Sequence, residues 1–522
     1  MPSDPLLTRR QALGLGLGAG AAALGAGALV RPGGWATAAA ASPLIQLRVD
    51  PSTAVGSLPA TAMGLSFEKA TLGIPLFAAD NAPLVALFRL LGPGVLRLGG
   101  NSVERTTWDP TGPGLVAGTV APADLVRLTG FAEAVGWPVI YGTPFVHATV
   151  DAVADEAAAA TAQLGRRLAA LELCNEPDLY VLDPTAAAVA GTFAQFRARW
   201  EQLAHAIEVA APGAALSGPA TCLLQTVGTW TTPFASAEAG RIGLLTQHYY
   251  RGFGGTETID ELLADDPLLD ATLPVLAASA QDAGVGYRLG ETNSFANGGA
   301  PGVSNTLASA LWGTGLVLGA AAGGAQGVNL HTSGAGAGYP PFVQVGGTVT
   351  EIRPLFYGLL LAAGAGPGDL VAADLTGAPA TLRAWAVRRG DATVGVVLVN
   401  TDPELAATVS VELPGSVWAA TASDLAGPSL AATRGVTFQG AAVDASGGWD
   451  PTPPRNLVVD DGRVTVSVGA AGATLVAITP APPTSSSTST TAADPATTSA
   501  AGPTGTPMPA ATPVNAAPRL TG

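Results

Sequence analysis

Between residues 63 and 363 the chain repeats one pattern eight times: a short apolar run that ends in polar residues, a loop, and a longer segment rich in Ala and Leu. A short apolar run followed by an amphipathic segment is typical of a β-strand followed by an α-helix. Eight such units in succession predict a (β/α)8 TIM barrel, a fold of the α/β class. The predicted barrel strands are residues 63–67, 95–98, 138–141, 168–174, 215–218, 243–246, 287–289 and 327–330.

Helices are expected between these strands, where apolar residues recur three and four positions apart. Such segments include residues 82–91, 121–135, 152–167, 192–209 and, closing the ring, 352–363. From residue 364 to 479 the pattern changes to alternating apolar runs separated by Gly, Asp and Pro turns, which predicts a C-terminal β-sandwich. The segment 42–62 alternates in the same way over its residues 45–49, so it is a candidate strand of that second domain.

The two ends of the chain differ from the middle. Arg9 and Arg10 precede an uncharged run and an Ala-rich stretch with possible cleavage sites, so residues 1–41 are similar to a bacterial twin-arginine export signal. An uncleaved membrane anchor is the alternative, but repeated Gly and Ala make the run only weakly hydrophobic. Residues 480–522 are almost entirely Ala, Ser, Thr, Pro and Gly, a composition that predicts a disordered tail. We therefore expect a secreted or cell-wall-associated protein without a membrane partner after cleavage.

Composition excludes several functions. The 39 acidic and 24 basic residues give a formal charge of -15, and no Lys/Arg-rich stripe suited to nucleic acid is present in the sequence. Cys174 and Cys222 are too few for a disulfide framework, and no Cys/His cluster has metal-ligand spacing. We expect no metal and no cofactor. Two buried thiols are favoured over a bridge between these cysteines.

Polar residues cluster where the predicted strands end, and that end of a barrel is where active sites are built. The expected substrate contacts there are Glu68, Asn101, Asn175, His248, Tyr249, Tyr250 and His331. His147 and His205 are instead expected on a loop and a helix surface.

Two glutamates at strand ends predict the chemistry. Glu176 follows the fourth predicted strand and Glu291 follows the seventh, so both can project into the barrel mouth. Glycoside hydrolysis requires such a pair, one carboxyl group to protonate the departing oxygen and one to attack the anomeric carbon or activate water. Pro177 predicts an extended backbone at Glu176. Either Tyr249 or Tyr250 is expected to hydrogen-bond Glu291 and keep it ionised.

Six segments of this sequence resemble glycoside hydrolase family 79, a clan A family of β-glucuronidases and heparanase-like enzymes. They are GLSFEKATL (64–72), LRLGGNSVERTTW (96–108), LELCNEPDLY (171–180), LLTQHYYRG (244–252), YRLGETNSFANGG (287–299) and NLHTSG (329–334). The resemblance covers about residues 44 to 480. It implies that Glu176 is the general acid/base and Glu291 the nucleophile, with net retention and a carbohydrate substrate, a β-glucuronide or a glycan that contains uronate.

One segment departs from the family pattern. Members commonly carry Tyr in the loop after the nucleophile, near the uronate carboxylate, whereas Phe295 and Ala296 stand here. Backbone N–H groups around Gly298 and Gly299 are the alternative anion donors. Two other functions remain open: a clan A β-glycosidase for a neutral sugar, such as a β-xylosidase or arabinofuranosidase, and a non-catalytic, wall-associated carbohydrate-binding protein.

Overall fold

The computed structural model describes residues 45–253, 257–332, 338–415 and 417–481. The segment predicted to be an export signal, residues 1–41, and the residues beyond 481 lie outside these ranges. The strands are β1 Ile45–Leu58, β2 Gly64–Glu68, β3 Val95–Gly99, β4 Thr107–Trp108, β5 Thr119–Val120, β6 Val139–Thr143, β7 Leu168–Leu173, β8 Leu216–Thr221, β9 Ile242–Gly252, β10 Gly286–Phe295, β11 Val328–His331, β12 Phe342–Val345, β13 Thr348–Ile352, β14 Gly368–Thr376, β15 Leu382–Arg389, β16 Val394–Asn400, β17 Ala407–Glu412, β18 Val417–Ala426, β19 Thr437–Phe438, β20 Arg455–Asn456, β21 Val459–Asp460, β22 Arg463–Val468 and β23 Gly472–Pro480. The α-helices are α1 Ala82–Leu90, α2 Pro122–Val135, α3 Val150–Leu164, α4 Pro184–Ala190, α5 Phe193–Ala210, α6 Thr231–Ala237, α7 Ile259–Leu263, α8 Pro267–Asp282, α9 Leu307–Ala322 and α10 Pro354–Gly364.

Eight parallel strands close a barrel in the order β10, β11, β2, β3, β6, β7, β8, β9. Each of them overlaps one of the eight apolar runs in the sequence, so the predicted barrel is confirmed. Seven of the eight strands end one to six residues later than predicted, because pairing continues into the polar residues that follow each run, as in β9. The exception is β7, which ends one residue earlier. These extensions carry Glu68, His248, Tyr249, Tyr250, Glu291 and His331, whereas Asn101, Asn175 and Glu176 follow the ends of β3 and β7.

The helices begin where local capping dictates. The Thr149 hydroxyl accepts a hydrogen bond from the N–H of Ala152 and starts α3, and Thr192 with Gln195 forms a capping box before α5. Gly136 ends α2 in the left-handed conformation that glycine adopts without strain. The apolar faces of these helices pack on the strands in one large core.

The C-terminal β domain is a single sheet. Ten of its eleven strands follow one another from β19 to β21, and β20 pairs with β18 off this path. The sheet is mixed because β1 runs parallel to β17 and antiparallel to β14. The predicted C-terminal β domain is confirmed. Its layers belong to one sheet, which curls on itself and encloses a core of alternate residues, including Val396, Val409 and Val466. Pairing of β1 with β17 joins what would otherwise be separate layers. Among the described residues, no helix combines the length and apolar character that a bilayer crossing requires.

Candidate active site

The carboxyl ends of β7 and β10 bring Glu176 and Glu291 together. One carboxylate oxygen of each, with a ring nitrogen of His248, lie within 4.8 Å of one another. The two glutamates are 4% and 5% exposed, so a small opening connects a largely dry pair of carboxyl groups to solvent. The side chains predicted from separate strands therefore form one site.

The backbone at Glu176 differs from the sequence prediction. Pro177 favours an extended residue before it, yet Glu176 has φ 51° and ψ 54°, in the left-handed region. The N–H of Glu176 donates to the Ala220 carbonyl at 2.9 Å, which ties the turn to the end of β8. Cys174 also has a positive φ of 96°, so strained residues flank Asn175 on both sides. The hydrogen bond to Ala220 on β8 therefore overrides the extended backbone that Pro177 favours at Glu176.

Arg97 lies beneath the pair and contacts four side chains. Its guanidinium donates to Glu291 Oε2 at 2.7 Å, to Glu172 Oε2 at 2.6 Å, to Asn175 Oδ1 at 3.0 Å and to Ser66 Oγ at 3.1 Å. Both Arg97 and Glu172 are fully buried inside the barrel. This ion-pair network was not predicted, although a charged residue inside an apolar strand is a sign that it has a buried partner.

Glu291 has a second donor on its other oxygen. The Tyr250 hydroxyl donates to Glu291 Oε1 at 2.8 Å. Burial alone would raise the pKa of the Glu291 carboxyl, but His331, His248, Arg97 and the Tyr250 hydrogen bond together lower it well below its usual range. Burial and the nearby Glu291 charge raise the pKa of Tyr250, which therefore keeps the proton that it donates. Glu291 is thus held ionised.

Tyr249 corrects the sequence interpretation. Neighbouring residues of a strand point to opposite faces, so only one of the two tyrosines can face the barrel interior. The Tyr249 hydroxyl donates at 2.8 Å to Oδ2 of Asp266, the residue that caps α8. The predicted substrate contact of Tyr249 is therefore wrong: its side chain packs outside the barrel wall.

Histidines border both glutamates. Nδ1 of His248 lies 3.3 Å from Glu176 Oε1, and Nδ1 of His331 lies 3.6 Å from Glu291 Oε2. His331 Nε2 is also 3.8 Å from Oε1 of Glu68. Glu68 is fixed by the N–H of Ser102, which donates to its Oε2 at 2.7 Å. The His331 imidazole thus connects Glu291 to a third carboxylate, that of Glu68.

Two asparagines complete this side of the mouth. The side-chain amide of Asn175 donates to Asn101 Oδ1 at 3.3 Å, while its oxygen accepts from Arg97. Asn175 is buried and Asn101 is exposed at the start of a 3-10 helix, Asn101–Arg105. The expected contact residues Glu68, Asn101, Asn175, His248, Tyr250 and His331 are therefore gathered around the two glutamates.

The loop after β10 is fixed by internal hydrogen bonds. The N–H of Gly299 donates to the Ala296 carbonyl at 3.3 Å, and the Gly298 carbonyl accepts from the N–H groups of Gly338 and Tyr339. Phe295 is buried against Leu262 and does not face the mouth. Gly299 therefore already uses the N–H group that the sequence interpretation assigned to an anion.

Tyr339, which the sequence analysis missed, lies where a phenolic donor was thought to be lacking. It is 3% exposed, and its ring centroid is 6.4 Å from that of Tyr250 and 6.1 Å from that of His331. Burial and the charges of Glu291 and Glu68 raise the pKa of its hydroxyl, which stays protonated. In the sequence it follows the Gly- and Ala-rich residues 333–338, which have no periodic pattern, so sequence periodicity gave no indication of it.

The spacing of Glu176, His248 and Glu291 would also suit a cation. The guanidinium of Arg97 already provides a positive charge 2.7 Å from Glu291, which opposes a second cation there. This charge argues against a cation site at these three residues. Nearby, Cys174 and Cys222 are both buried and are not joined by a disulfide.

Comparisons with known proteins agree with this architecture. Residues 384–475 match the glycosyl hydrolase family 79 C-terminal beta domain. A β-glucuronidase of Aspergillus niger is 26% identical over 352 residues, which are 58% of this chain and 63% of that protein. The chain thus spans less than two thirds of this curated relative.

Solved structures share the fold. A 4-O-α-L-rhamnosyl-β-D-glucuronidase from Fusarium oxysporum superposes with a TM-score of 0.70 at 19% identity, over 82% of this chain and 99% of that one. An α-L-arabinofuranosidase from Thermotoga maritima gives a TM-score of 0.62 at 16% identity, over 83% and 99% of the two chains. The barrel and the β domain share the architecture of these barrel glycosidases. Among such proteins, the match of residues 384–475 and the similarity to both glucuronidases point to glycoside hydrolase family 79.

Proposed function

We propose that this protein is a retaining glycosidase that cleaves β-glucuronides, with Glu291 as nucleophile and Glu176 as general acid/base. The observation that carries the proposal is the approach of the two carboxylates within 4.8 Å. Retaining enzymes hold their carboxyl groups about 5 to 5.5 Å apart, whereas inverting enzymes leave room for a water molecule between them.

The surroundings of the two glutamates support these roles. A nucleophile must be ionised, and Glu291 is the carboxylate that contacts Arg97 and Tyr250. Glu176 instead lies beside the His248 imidazole and at the more strained turn. Two carboxyl groups in such different surroundings are suited to different steps of one reaction.

In the first step, a Glu291 oxygen forms a bond to the anomeric carbon as the bond from that carbon to the glycosidic oxygen breaks. Glu176 gives its proton to the departing oxygen, and the aglycone leaves as an alcohol. In the second step, Glu176 takes a proton from water, whose oxygen attacks the anomeric carbon. Glu291 is released as a carboxylate, and the sugar keeps its β configuration.

The glucuronide assignment comes from the family and from local chemistry. The relative from Aspergillus niger is named a β-glucuronidase, and the Fusarium structure is that of a rhamnosyl-glucuronidase. A net charge of -15 does not attract a uronate over long range, so recognition must be local. Tyr339 is a neutral donor beside Glu291 and is our candidate for contact with the uronate carboxylate.

Kinetics with aryl glycosides test the substrate. We expect kcat/KM to be at least tenfold higher for a p-nitrophenyl β-glucuronide than for the matching β-glucoside, β-galactoside and β-xyloside, because one charge-assisted hydrogen bond contributes about 1.5 to 3 kcal/mol. Glu291→Ala serves as the inactive control. Preference for a neutral sugar would overturn the glucuronide assignment and favour the alternative glycosidase, while inactivity on all four would favour a non-catalytic binding protein.

We also propose that the protein is exported by the twin-arginine route, on the basis of Arg9 and Arg10 and the uncharged run after them. Fractionation of a bacterial host that expresses the full chain tests this. An Arg9→Lys, Arg10→Lys variant should remain in the cytoplasm, and equal export of both forms would contradict the proposal.

A further inference from the structure

Glu172 shares the guanidinium of Arg97 with Glu291. It lies on β7, is fully buried, and accepts from Arg97 through Oε2, with Nε and Nη2 both at 2.6 Å. Nη1 of the same Arg97 contacts Glu291 Oε2 at 2.7 Å. One positive charge is therefore placed between two buried carboxylates.

The charge balance of this triad is uneven. A single guanidinium cannot neutralise two carboxylates, so the group carries one net negative charge when both are ionised. Within the described residues, Oε1 of Glu172 accepts no hydrogen bond, so no further donor offsets that charge. Charges interact more strongly in a water-poor interior than in solvent. The charge of Glu172 must therefore affect Glu291 electrostatically.

We infer that Glu172 is a positioning residue that sets the reactivity of Glu291 by competing with it for Arg97. This rests on the proposed function, in which Glu291 is the nucleophile. The negative charge of Glu172 reduces the stabilisation that Arg97 gives to the Glu291 carboxylate. Glu291 therefore stays basic enough to attack. Glu172 itself touches no reacting atom; it acts only through the guanidinium.

Loss of the Glu172 charge should affect the two half-reactions in opposite directions. When Arg97 is paired with Glu291 alone, it stabilises the Glu291 carboxylate more strongly. Glu291 is then a weaker nucleophile, so the glycosyl-enzyme forms more slowly. The same carboxylate becomes a better leaving group, so the intermediate hydrolyses faster. A residue that merely supports the fold would change both rates in the same direction.

The other charged or titratable groups that face Glu291 stay in place in such a variant. They are Arg97 on β3, Glu176 after β7, His248 and Tyr250 on β9, His331 on β11, and Tyr339. Glu172→Gln keeps an oxygen that can accept from Arg97 and removes only the charge, so a change in the ratio of the two rates reports on that charge.

The experiment uses 2-deoxy-2-fluoro-β-glucuronyl fluoride, which separates formation of the covalent intermediate from its breakdown. For Glu172→Gln we expect inactivation roughly tenfold slower and reactivation several-fold faster than for the wild type. Glu172→Asp, which keeps the charge, should lie between the two, and it tests the proposal even if Glu172→Gln folds poorly. Rates that fall together, or that do not change in either variant, would overturn the inference.

Glu156→Gln is the matched control. Glu156 is also a fully buried carboxylate, but it pairs with Lys69 at 2.5 Å and with the Tyr141 hydroxyl at 2.7 Å, without contact to Arg97. Its neutralisation should lower the melting temperature and leave the ratio of the two rates unchanged. Peptide mapping of the inactivated wild type keeps the two proposals apart: a label elsewhere than Glu291 refutes the proposed function, whereas a label on Glu291 with an unaltered ratio in Glu172→Gln refutes only this inference.

Discussion

The hydroxyl of Tyr250 lies 2.8 Å from Oε1 of Glu291, so this phenol donates a hydrogen bond directly to the proposed nucleophile. The next tyrosine in the sequence, Tyr249, makes a hydrogen bond of the same length to Asp266 on the other side of the barrel wall. Two adjacent residues of one type thus occupy different environments, and the pair provides a variant and its control.

Tyr250→Phe should lower kcat/KM for an aryl β-glucuronide by about tenfold to a hundredfold, because a hydrogen bond to a charged group contributes about 1.5 to 3 kcal/mol. The hydroxyl helps to lower the pKa of Glu291, so its loss raises that pKa and moves the acid limb of the pH profile to higher pH. The measurement is kcat/KM against pH. Tyr249→Phe should keep the wild-type profile, and an equal loss in both variants would contradict the assignment.

Glu176→Ala should discriminate between leaving groups. General acid catalysis contributes about 10² to 10⁴ in rate, and a 2,4-dinitrophenolate needs no proton to depart. We therefore expect a much smaller loss of kcat/KM on the dinitrophenyl glucuronide than on an alkyl glucuronide. Added azide, which needs no general base, should accelerate turnover of the activated substrate and give a β-glucuronyl azide. Equal losses on both substrates would argue against the acid role of Glu176.

Tyr339→Phe tests recognition of the uronate. Removal of the hydroxyl beside Glu291 should raise KM for the glucuronide and narrow the ratio of kcat/KM between β-glucuronide and β-glucoside by about tenfold, the effect of one charge-assisted hydrogen bond. Activity on the glucoside, which lacks the carboxylate, serves as the internal control. Parallel losses on both substrates would place Tyr339 in general support of the site.

Helix packing gives a prediction for stability. A Cβ at Gly358 of α10 would collide with the backbone of Ala310 in α9, whereas a Cβ at Gly319 of α9 meets nothing within 4 Å. Gly358→Ala should therefore lower the free energy of unfolding by about 1 to 3 kcal/mol, because the helices must move apart. Gly319→Ala should raise it by up to about 1 kcal/mol through helix propensity. Denaturant unfolding of both variants checks the difference.

The barrel could be predicted because the spacing of apolar residues along the sequence is enough to distinguish its strands from its helices. The sequence also located Glu176 and Glu291, since both follow apolar runs that become β7 and β10. It did not predict the bridge from Arg97 to Glu172, because the partner of a charge within a strand depends on which strands become neighbours. The single curled sheet was missed for the same reason, since β1 and β17 are far apart in sequence.

β1 has a consequence for the order in which the protein can fold. Val49 pairs with Ala373 and Leu47 with Val411, so the first described strand finds its partners only after the entire barrel has been synthesised. Until then, a strand with three buried aliphatic side chains, Ile45, Leu47 and Val49, has no sheet to join. Contacts so distant along the chain are slow to form, because a long loop must close first. The emerging polypeptide must therefore shield this strand from other chains until translation has passed β17, and a barrel expressed without the C-terminal sheet would keep it exposed.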